Sequence, residues 1–274
     1  MSYLAIFLAP FLGGLLYGFE RKLKARMQGR KGPPVLQPFY DFFKLAGKRT
    51  MIVSRYHAYL GVLHFVATYI ALAMLLLGAD LLIVIFTHLS ATLFLVVAAY
   101  SIPSVFSQIG ANRELVLVSV YEPIFALVAV CLFLSSGSFE ASSILGGTPA
   151  IYKYPFLFLA LLAAIAVKLK KSPFDAAEAH QEIVGGMEIE YSGIYFEALY
   201  TAKWLDYIYA YAFCFLFGGS NYLLGISLAV FAFFVINLFD NSTGRIRYVS
   251  VVSFFARNIY PIAILNIIVT GWMI

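Results

Sequence analysis

Apolar residues occur along this chain in eight blocks of about 20 residues, separated by shorter polar segments. A helix of that length crosses a hydrocarbon layer roughly 30 Å thick. Because lipid offers the backbone no hydrogen-bond partner, every span is predicted to be helical. The fold is therefore predicted to be all-α and polytopic, with eight transmembrane helices. The predicted spans are 2–19, 59–77, 81–100, 115–134, 151–167, 198–217, 222–239 and 258–274.

The basic residues predict the orientation of the chain in the membrane. All 19 Lys and Arg residues except Lys153 fall in or beside alternate connections, so one side carries nearly all of the positive charge. Short loops rich in Lys and Arg face the cytoplasm. Both termini are then predicted to lie outside, and residues 1–274 to form one integral domain of the plasma membrane. The predicted cytoplasmic loops are 20–58, 101–114, 168–197 and 240–257.

Composition excludes a soluble protein. Hydrophobic residues make up 62% of the 274 residues and charged residues only 12%, whereas a soluble domain carries about 25% charged residues. The net charge of +5 is attributed to topology and to anionic lipid, not to a nucleic-acid partner, because the chain has no basic soluble module. Cys131 and Cys214 are too far apart in sequence for ligand spacing, so no metal or other cofactor is predicted in this chain.

The first cytoplasmic loop contains a predicted amphipathic helix lying along the membrane surface. After a Gly-Pro-Pro turn, the sequence places Phe39, Phe42 and Phe43 on one side of this helix, with Asp41 and Lys44 on another. Two functions fit the segment and are compatible with each other. It would anchor the chain to anionic lipid, or form a docking surface for a peripheral protein.

Glu122 is a carboxylate well inside the fourth predicted span, in V-S-V-Y-E-P. A charge at that depth costs roughly 2.5–3.5 kcal/mol on insertion scales, so Glu122 is expected to face protein or water. Such a group suits the uptake and release of protons. The alternative is a structural hydrogen bond between helices, made by the protonated carboxyl group.

Five carboxylates lie close together in the third cytoplasmic loop. They are Asp175, Glu178, Glu182, Glu188 and Glu190. A helix is predicted to begin at Pro173, after a Ser cap, and to end near Gly185. The first three acids would then form one stripe on that helix. Acids so placed share protons through mutual repulsion, but a solvated acidic face predicts the same periodicity, and the residues alone leave both interpretations open.

Two histidines, His64 and His88, fall inside predicted spans. Their depths differ by about 12 Å in a hydrocarbon core of ~30 Å. Paired axial ligands of a haem need matching depths, so haem binding is not predicted. Polar contacts between helices are expected instead.

Four motifs, spread in order along the chain, resemble those of one protein family. They are the first-loop run G-R-K-G-P…L-Q-P-F, the V-Y-E around Glu122, the acidic run S-P-F-D-A-A-E-A-H-Q-E-I-V-G-G-M-E-I-E-Y-S-G, and R-I-R-Y in the last loop. The acidic run is similar to the pattern P-F-D-x-x-E-x-x-x-E-L-V-x-G-x-x-x-E-Y-x-G. The family is that of NADH dehydrogenase subunit 1, a membrane subunit of respiratory complex I.

The resemblance implies a non-catalytic subunit that attaches a peripheral redox arm to the membrane arm and links redox changes to ion-pumping partners. The resemblance implies that Glu122, Asp175, Glu178, Glu182 and Glu190 are coupling or proton-relay carboxylates. Glu188, at a position that the family pattern leaves open, is a further candidate on the same loop. The resemblance implies that Arg26, Arg30 and Arg113 balance charge. Asp41, Lys44 and Lys203 are further candidates for balancing charge or docking the arm.

Two departures from the family pattern point to one of its branches. Quinone-linked members usually carry a Gly/Pro-rich insert, whereas here Gly32-Pro33-Pro34-Val35 runs directly into Leu36-Gln37. Lys203 also stands where complex I relatives commonly have glutamate. The A-H-Q-E form of the acidic loop is more similar to the corresponding subunit of membrane-bound group 4 nickel–iron hydrogenases and formate hydrogenlyases.

This similarity implies a membrane-bound, ferredoxin-linked, hydrogenase-like complex. The expected partners are peripheral hydrogenase-like large and small (iron–sulfur) subunits, antiporter-like membrane subunits and the lipid bilayer. The nickel–iron centre and the iron–sulfur clusters are expected in those partner subunits. The alternatives are the quinone-chamber subunit of a complex I relative, the equivalent subunit of a sulfur-reducing complex, or a stand-alone carrier, which would need internal repeats that the two halves do not show.

Overall fold

The computed structural model describes residues 2–271. Over this range the chain is 78% helical and contains no strand, which confirms the predicted all-α class. Long runs of Leu, Ile, Val, Ala and Phe fill the helices, and Pro10 and Pro123 are accommodated inside two of them, as membrane helices allow. The last three residues of the eighth predicted span, 272–274, lie outside the described residues.

The helices are numbered in chain order. They are α1 Ser2–Met27, α2 Gln37–Ala46, α3 Arg55–Leu76, α4 Leu81–Tyr100, α5 Val105–Ser136, α6 Ala141–Gly146, α7 Pro155–Lys168, α8 His180–Ile183, α9 Gly193–Leu216, α10 Tyr222–Ser242, α11 Tyr248–Phe254 and α12 Tyr260–Gly271. Short 3-10 turns lie at Ala150–Tyr152, Asp175–Ala177 and Gly186–Glu188, and a π-helical turn, Phe255–Ile259, joins α11 to α12.

Six helical segments of the described chain are long and apolar enough to cross a membrane: α1, α3, α4, α5, α10 and the continuous segment Tyr248–Thr270. The chain is therefore a multi-pass membrane protein. The fifth and sixth predicted spans correspond to α7, with 14 residues, and α9, with 24 residues. The count of eight spans and the outside position of both termini stay predictions.

Helix α5 begins at Val105, so most of the predicted connection 101–114 is helical; its position on the cytoplasmic side stays a prediction. This first part of α5 is polar, so average hydropathy does not mark it as helix. Its buried face consists of Ser107, Gly110, Ala111 and Glu114, which repeat at the spacing of one helix side. Small residues on that face allow close packing, and Arg113 is consequently held on a helix instead of in a mobile connection.

The helices belong to two compact units. The first contains the chain up to Ala73, Thr87–Leu115 and Asp175–Ile208, and the second contains Met74–Phe86, Val116–Phe174 and the chain from Tyr209 onward. Each unit is therefore built from segments that are far apart in sequence. The five predicted acids between Asp175 and Glu190 belong to the first unit, together with α1, α2 and most of α3 and α9.

Glycines let helices of the first unit pack closely, α1 against α9 and α3 against the segment just before α9. A Cβ atom at Gly13 of α1 would lie 2.4 Å from the carbonyl oxygen of Trp204 in α9, and one at Gly61 of α3 would lie 2.5 Å from the ring of Tyr191. No side chain fits at either position. Membrane helices commonly pack through small residues, because lipid supplies no hydrophobic force between them.

In the second unit, a polar side chain joins α7 to α12. The Asn266 carbonyl oxygen accepts hydrogen bonds from the backbone N–H groups of Phe156 and Leu157, both at 3.1 Å. These donors belong to the first turn of α7, which has no partner within its own helix. Asn266 thereby supplies the hydrogen-bond acceptor that the first N–H groups of this short helix need in an apolar environment.

Candidate functional site

The acidic loop, residues 172–190, is a series of short turns. It contains the 3-10 turn Asp175–Ala177, the four-residue α8 and the 3-10 turn Gly186–Glu188, with Val184 in the left-handed region at φ 55°. The predicted continuous helix from Pro173 to Gly185 is therefore wrong, and the predicted stripe of acids does not form.

Contacts with α5 explain why this loop does not form one helix. Arg113 Nη1 donates a hydrogen bond to the carbonyl oxygen of Ala176 at 3.0 Å, a group that a continuous helix would use for its own bonding. A Cβ atom at Gly110 would lie 2.7 Å from the Cα atom of Gly186. The loop backbone thus packs directly against the first turns of α5.

Arg113 also pairs with one of the acids. Its Nη1 atom donates to Oε2 of Glu182 at 2.6 Å. The side chain of Glu182 is 48% exposed, whereas that of Arg113 is 17% exposed. The pair therefore lies at the border between the protein interior and the surroundings, where it can be broken and formed again at modest cost.

Lys203, on α9, pairs with two other acids of the loop. Its Nζ atom lies 3.0 Å from Oε1 of Glu178 and donates to Oε2 of Glu188 at 2.7 Å. All three side chains are partly buried. Two cations on two different helices thus hold three of the five predicted acids. We define these five side chains, Arg113, Lys203, Glu178, Glu182 and Glu188, as the loop clasp.

The two remaining loop acids are placed next to anchoring residues. Asp175 opens a 3-10 turn, and Glu190 directly precedes Tyr191, whose hydroxyl donates to the carbonyl oxygen of His57 at 3.0 Å. Burial, and to a lesser degree Glu188, raises the pKa of the Tyr191 phenol, so it remains a donor at physiological pH. This bond ties the end of the loop to α3.

Glu122 lies inside α5, in the second unit, with a partly buried side chain between the buried Tyr121 and the exposed Pro123. Glu122 thus lies within a helix that is long and apolar enough to cross a membrane. Its role as a proton-relay residue stays a prediction.

The predicted amphipathic helix forms as α2, and Asp41 on it is held by partners. The Asp41 carboxylate accepts from Arg21 Nη1 at 3.0 Å, Gln37 Nε2 at 2.8 Å and the Tyr200 hydroxyl at 3.4 Å. Burial opposes ionisation of Asp41, but these hydrogen bonds and the charge of Arg21 outweigh it and hold its pKa below the ordinary range. Asp41 thus attaches α2 to α1 and α9.

The other predicted docking residues are exposed. Arg26 lies in the last turn of α1 and Arg30 in the turn that follows, where it donates to the side chain of Gln28. Lys44 lies in the last turn of α2. All three positive charges are accessible to anionic groups.

Aromatic side chains of four helices in the first unit surround a cavity of about 550 Å³. Phe39 of α2 packs against Phe11 and Trp204, with ring centroids 5.1 Å and 5.3 Å away. The cavity lies between α1, α2, α3 and α9, and its polar lining residues include Glu197 and Thr201. The sequence gives no direct sign of it, because its wall is assembled from four separate segments.

Sequence reasoning missed an ionisable pair inside the first unit. Nε2 of His88 on α4 lies 2.6 Å from Oδ1 of Asp206 on α9. His64, the other histidine considered, has Nδ1 2.8 Å from the carbonyl oxygen of Ala91. Asp206 lies within a predicted span, and this was the sequence signal for the pair. An acid is costly in lipid, so a polar or charged partner is expected for it.

Lys168 lies at the boundary where the third cytoplasmic connection was predicted to begin. The residue ends α7 and is buried. Its Nζ atom lies 5.1 Å from the ring centroids of both Tyr121 and Tyr209, and 5.8 Å from that of Phe125. Aromatic faces attract a cation, so the rings stabilise a charge that an apolar wall would exclude.

Cys131 and Cys214 are free thiols, both buried. Across the part of the chain that the structure describes, no group of three or more His, Cys, Asp or Glu side chains could hold a metal ion. The acidic loop therefore carries ion pairs and hydrogen bonds rather than metal-ligand geometry.

Comparison with known proteins gives relatives over most of the chain. The pattern of the NADH dehydrogenase family matches residues 1–271. The chain is 32% identical to formate hydrogenlyase subunit 4 of Escherichia coli K12, over 85% of this chain and 86% of that protein. It is 29% identical to NADH-ubiquinone oxidoreductase chain 1 of Mytilus edulis, over 90% of this chain and 91% of that protein.

A solved structure has the same fold. The chain aligns with a chain of the membrane-bound sulfane sulfur reductase, an archaeal respiratory membrane complex, with a TM-score of 0.89 over 98% of each chain. At 22% sequence identity, this similarity concerns the arrangement of the helices.

Proposed function

We propose a function for this chain from its membership in the NADH dehydrogenase family, to which it belongs. The chain anchors the redox arm of a hydrogenase-like, ferredoxin-linked membrane complex. It also couples electron transfer in that complex to ion translocation. Its relatives include membrane subunits of formate hydrogenlyase and of NADH-ubiquinone oxidoreductase. The single observation that carries the coupling role is the loop clasp, in which Arg113 and Lys203 hold three carboxylates of one loop.

The clasp supplies a physical route from a change of shape to a change of proton affinity. A carboxylate beside a cation favours its charged form, and the same carboxylate moved away from the cation in a low-dielectric site favours a proton. A docked redox subunit that shifts the loop would separate Glu178 or Glu188 from Lys203, and the released carboxylate would take up a proton. Return of the loop would expel that proton.

The separation of Glu182 from Arg113 is a second step, and it costs less free energy than the separation of Glu178 or Glu188 from Lys203. The half-exposed Glu182 is stabilised by about 1 kcal/mol or less in such a pair, so it can change partners during turnover. We assign Asp175 and Glu190 to the same acidic set, because they lie on the same loop. Glu122 would extend proton exchange into α5, as its position inside a span suggests.

The exposed basic residues supply a surface for the redox arm and for lipid. Arg26, Arg30 and Lys44 carry accessible positive charge near the end of α1 and on α2. We place this face on the cytoplasmic side of the plasma membrane, in accord with the bias of Lys and Arg. The nickel–iron centre and iron–sulfur clusters would lie in the docked large and small subunits, and antiporter-like subunits would move the ions.

Purification from native membrane tests this proposal. The intact complex, extracted in mild detergent, is expected to contain iron–sulfur subunits and nickel in stoichiometric amounts with this chain. Migration of the chain alone, with no metal–sulfur subunit, would contradict the proposal and support a stand-alone carrier.

The aromatic cavity favours a second function, that of a quinone-chamber subunit in a complex I relative. A space of about 550 Å³ lined by Phe and Trp side chains suits an apolar ring or chain. If this function is correct, turnover will require added quinone and the complex will lack nickel. The third candidate is the equivalent subunit of a sulfur-reducing complex, because the chain shares its fold with a chain of the sulfane sulfur reductase. A complex without nickel that reduces sulfur compounds would identify that function.

A further inference from the structure

The pair formed by His88 and Asp206 lies deep between two helices. The His88 side chain is 2% exposed and the Asp206 side chain 21% exposed. His88 stands 12 residues before the end of α4 at Tyr100, and Asp206 stands 13 residues after the start of α9 at Gly193. At 1.5 Å per residue, both lie about 18–20 Å from those helix ends.

The end of α4 and the first turns of α9 pack against the acidic loop. Ala98 and Ala99 of α4 form one cluster with Met187 of the loop, with Tyr191 just after it and with Leu199 of α9. Leu199 stands seven residues before Asp206, and His88 stands ten residues before Ala98, so the pair lies about 10–15 Å beyond these contacts along the two helices.

Lys203 connects the loop to this pair along α9. It stands three residues before Asp206, so the two side chains emerge from neighbouring positions of the same helix face, about 4.5 Å apart along the axis. Charged groups thus follow one another from Glu178 and Glu188 to Lys203, Asp206 and His88. We refer to this succession as the α9 ladder.

A histidine and a carboxylate at this distance have the chemistry of a proton carrier. An imidazole can accept a proton on one ring nitrogen and lose one from the other, and an adjacent carboxylate stabilises the charged ring. Uptake of one proton gives imidazolium beside carboxylate, and its release restores neutral imidazole beside carboxylate. Ionisable residues in the membrane interior are costly, and they commonly mark proton relays.

We propose that His88 and Asp206 form a proton-carrying pair that extends the acidic loop, through Lys203, into the membrane. This inference rests on the proposed coupling function and adds to it a site separate from the loop clasp. Aspartate and histidine on different helices also fix the register of α4 against α9, so the test must separate proton transfer from packing.

The experiment uses the whole complex, purified from native membrane and reconstituted in sealed vesicles. Electron transfer is measured with and without an ionophore, and ion movement is followed with an internal pH dye and with radioactive sodium. The variants are Asp206→Asn and His88→Gln, which keep size and hydrogen bonding but remove the titrating group. The matched control is Asp80→Asn, which makes the same change at the start of α4, where the side chain accepts from the N–H of Leu82 at 2.8 Å.

Both variants are expected to assemble, and each is expected to lower the number of ions moved per electron at least tenfold. The double variant is expected to be no worse than either single variant, because the two residues act as a unit. Asp206→Glu is expected to restore part of the lost ratio, and Asp80→Asn to leave the ratio unchanged.

Two outcomes would overturn the inference. Asp206→Asn and His88→Gln complexes that move ions at the wild-type ratio would leave the loop-based function standing and remove this pair from it. Loss of assembly in both variants, without rescue of ion movement by Asp206→Glu, would assign the pair a packing role. A wild-type complex that transfers electrons but moves no ions would overturn the coupling function and the inference together.

Discussion

At the scale of single residues, charge pairing decides what the acids can do. Lys203 is the clearest case, because one ammonium group holds Glu178 and Glu188, both partly buried. The sequence left mutual repulsion among the acids and a solvated acidic face equally open, whereas the structure shows three of the acids held by cations. Their proton affinity therefore depends on the positions of Arg113 and Lys203 as well as on burial.

Replacing Lys203 by methionine is expected to destabilise the protein. Removal of one partner from a buried ion pair costs roughly 3–5 kcal/mol, and the low end applies here, because the lysine side chain is 28% exposed. Thermal unfolding in detergent measures the effect. Lys203→Arg and the exposed Lys44→Met serve as controls and should unfold close to the wild type. A Lys203→Met protein as stable as the wild type would show that the clasp does not hold the loop.

Glu182→Gln is expected to impair ion coupling and leave assembly intact. The half-exposed pair with Arg113 contributes about 1 kcal/mol or less to stability, so the loss should appear in ions moved per electron rather than in yield. Glu122→Gln should behave in the same way. The control is Glu140→Gln, at the start of α6 and outside the loop. Normal translocation by Glu182→Gln would restore the interpretation of a solvated acidic face.

Asp41 predicts a dependence of stability on pH. Its folded-state pKa is held below the ordinary value of about 3.9. The hydrogen bonds to its carboxylate therefore stabilise the fold fully above that ordinary value, and this contribution is lost as the pH falls through the lower, folded-state pKa. Chemical unfolding of wild type and Asp41→Asn should differ at pH 7 and converge at the acid end. A constant difference at all pH values would contradict the assignment.

At the scale of elements, the acidic loop and the polar start of α5 form one folded part. Hydropathy does not show that they belong together, because it identifies each only as a polar segment between apolar spans. Gly110, Ala111 and Gly186 bring the two backbones together, and this contact places Arg113 beside the loop. The amphipathic pattern of α2 was sufficient to predict that helix, but the aromatic partners of its apolar face come from α1 and α9.

Gly110→Val is expected to detach the acidic loop from α5. Its side chain would meet the backbone of Gly186, since a Cβ atom alone would lie 2.7 Å from the Cα atom, and backbone cannot move aside cheaply. Limited proteolysis between Asp175 and Glu190 should become faster. Gly146→Ala is the control, because a Cβ atom at Gly146 meets nothing within 4 Å. Unchanged protection in Gly110→Val would show that the loop is held elsewhere.

At the scale of the whole molecule, the chain belongs to a family of multi-pass membrane proteins. Its topology, eight spans with both termini outside, is a prediction. Six helices meet the length and hydropathy expected of spans. The fifth and sixth predicted spans form α7 and α9, of which α7 is short and α9 carries Lys203 and Asp206. Most side chains of α7 and of α9 are buried, which indicates that neighbouring helices shield both from lipid.

Cysteine labelling tests the predicted topology. Lys44→Cys and Arg245→Cys should react with an impermeant reagent only when the cytoplasmic face is open, and Lys153→Cys should react from outside in intact cells. Native Cys131 and Cys214 are buried, so they give a low background. Labelling of Lys153→Cys from the same side as Lys44→Cys would contradict the count of eight spans.

The sequence by itself determined the helical class, the positions of the apolar segments and the family, because hydropathy and short motifs are local properties of the chain. Only the tertiary structure decided which cation holds which acid, that the acidic loop is bent rather than helical, and that His88 meets Asp206. Those contacts join residues that are distant in sequence. Their formation depends on the close packing of helices through small residues, which no local pattern records.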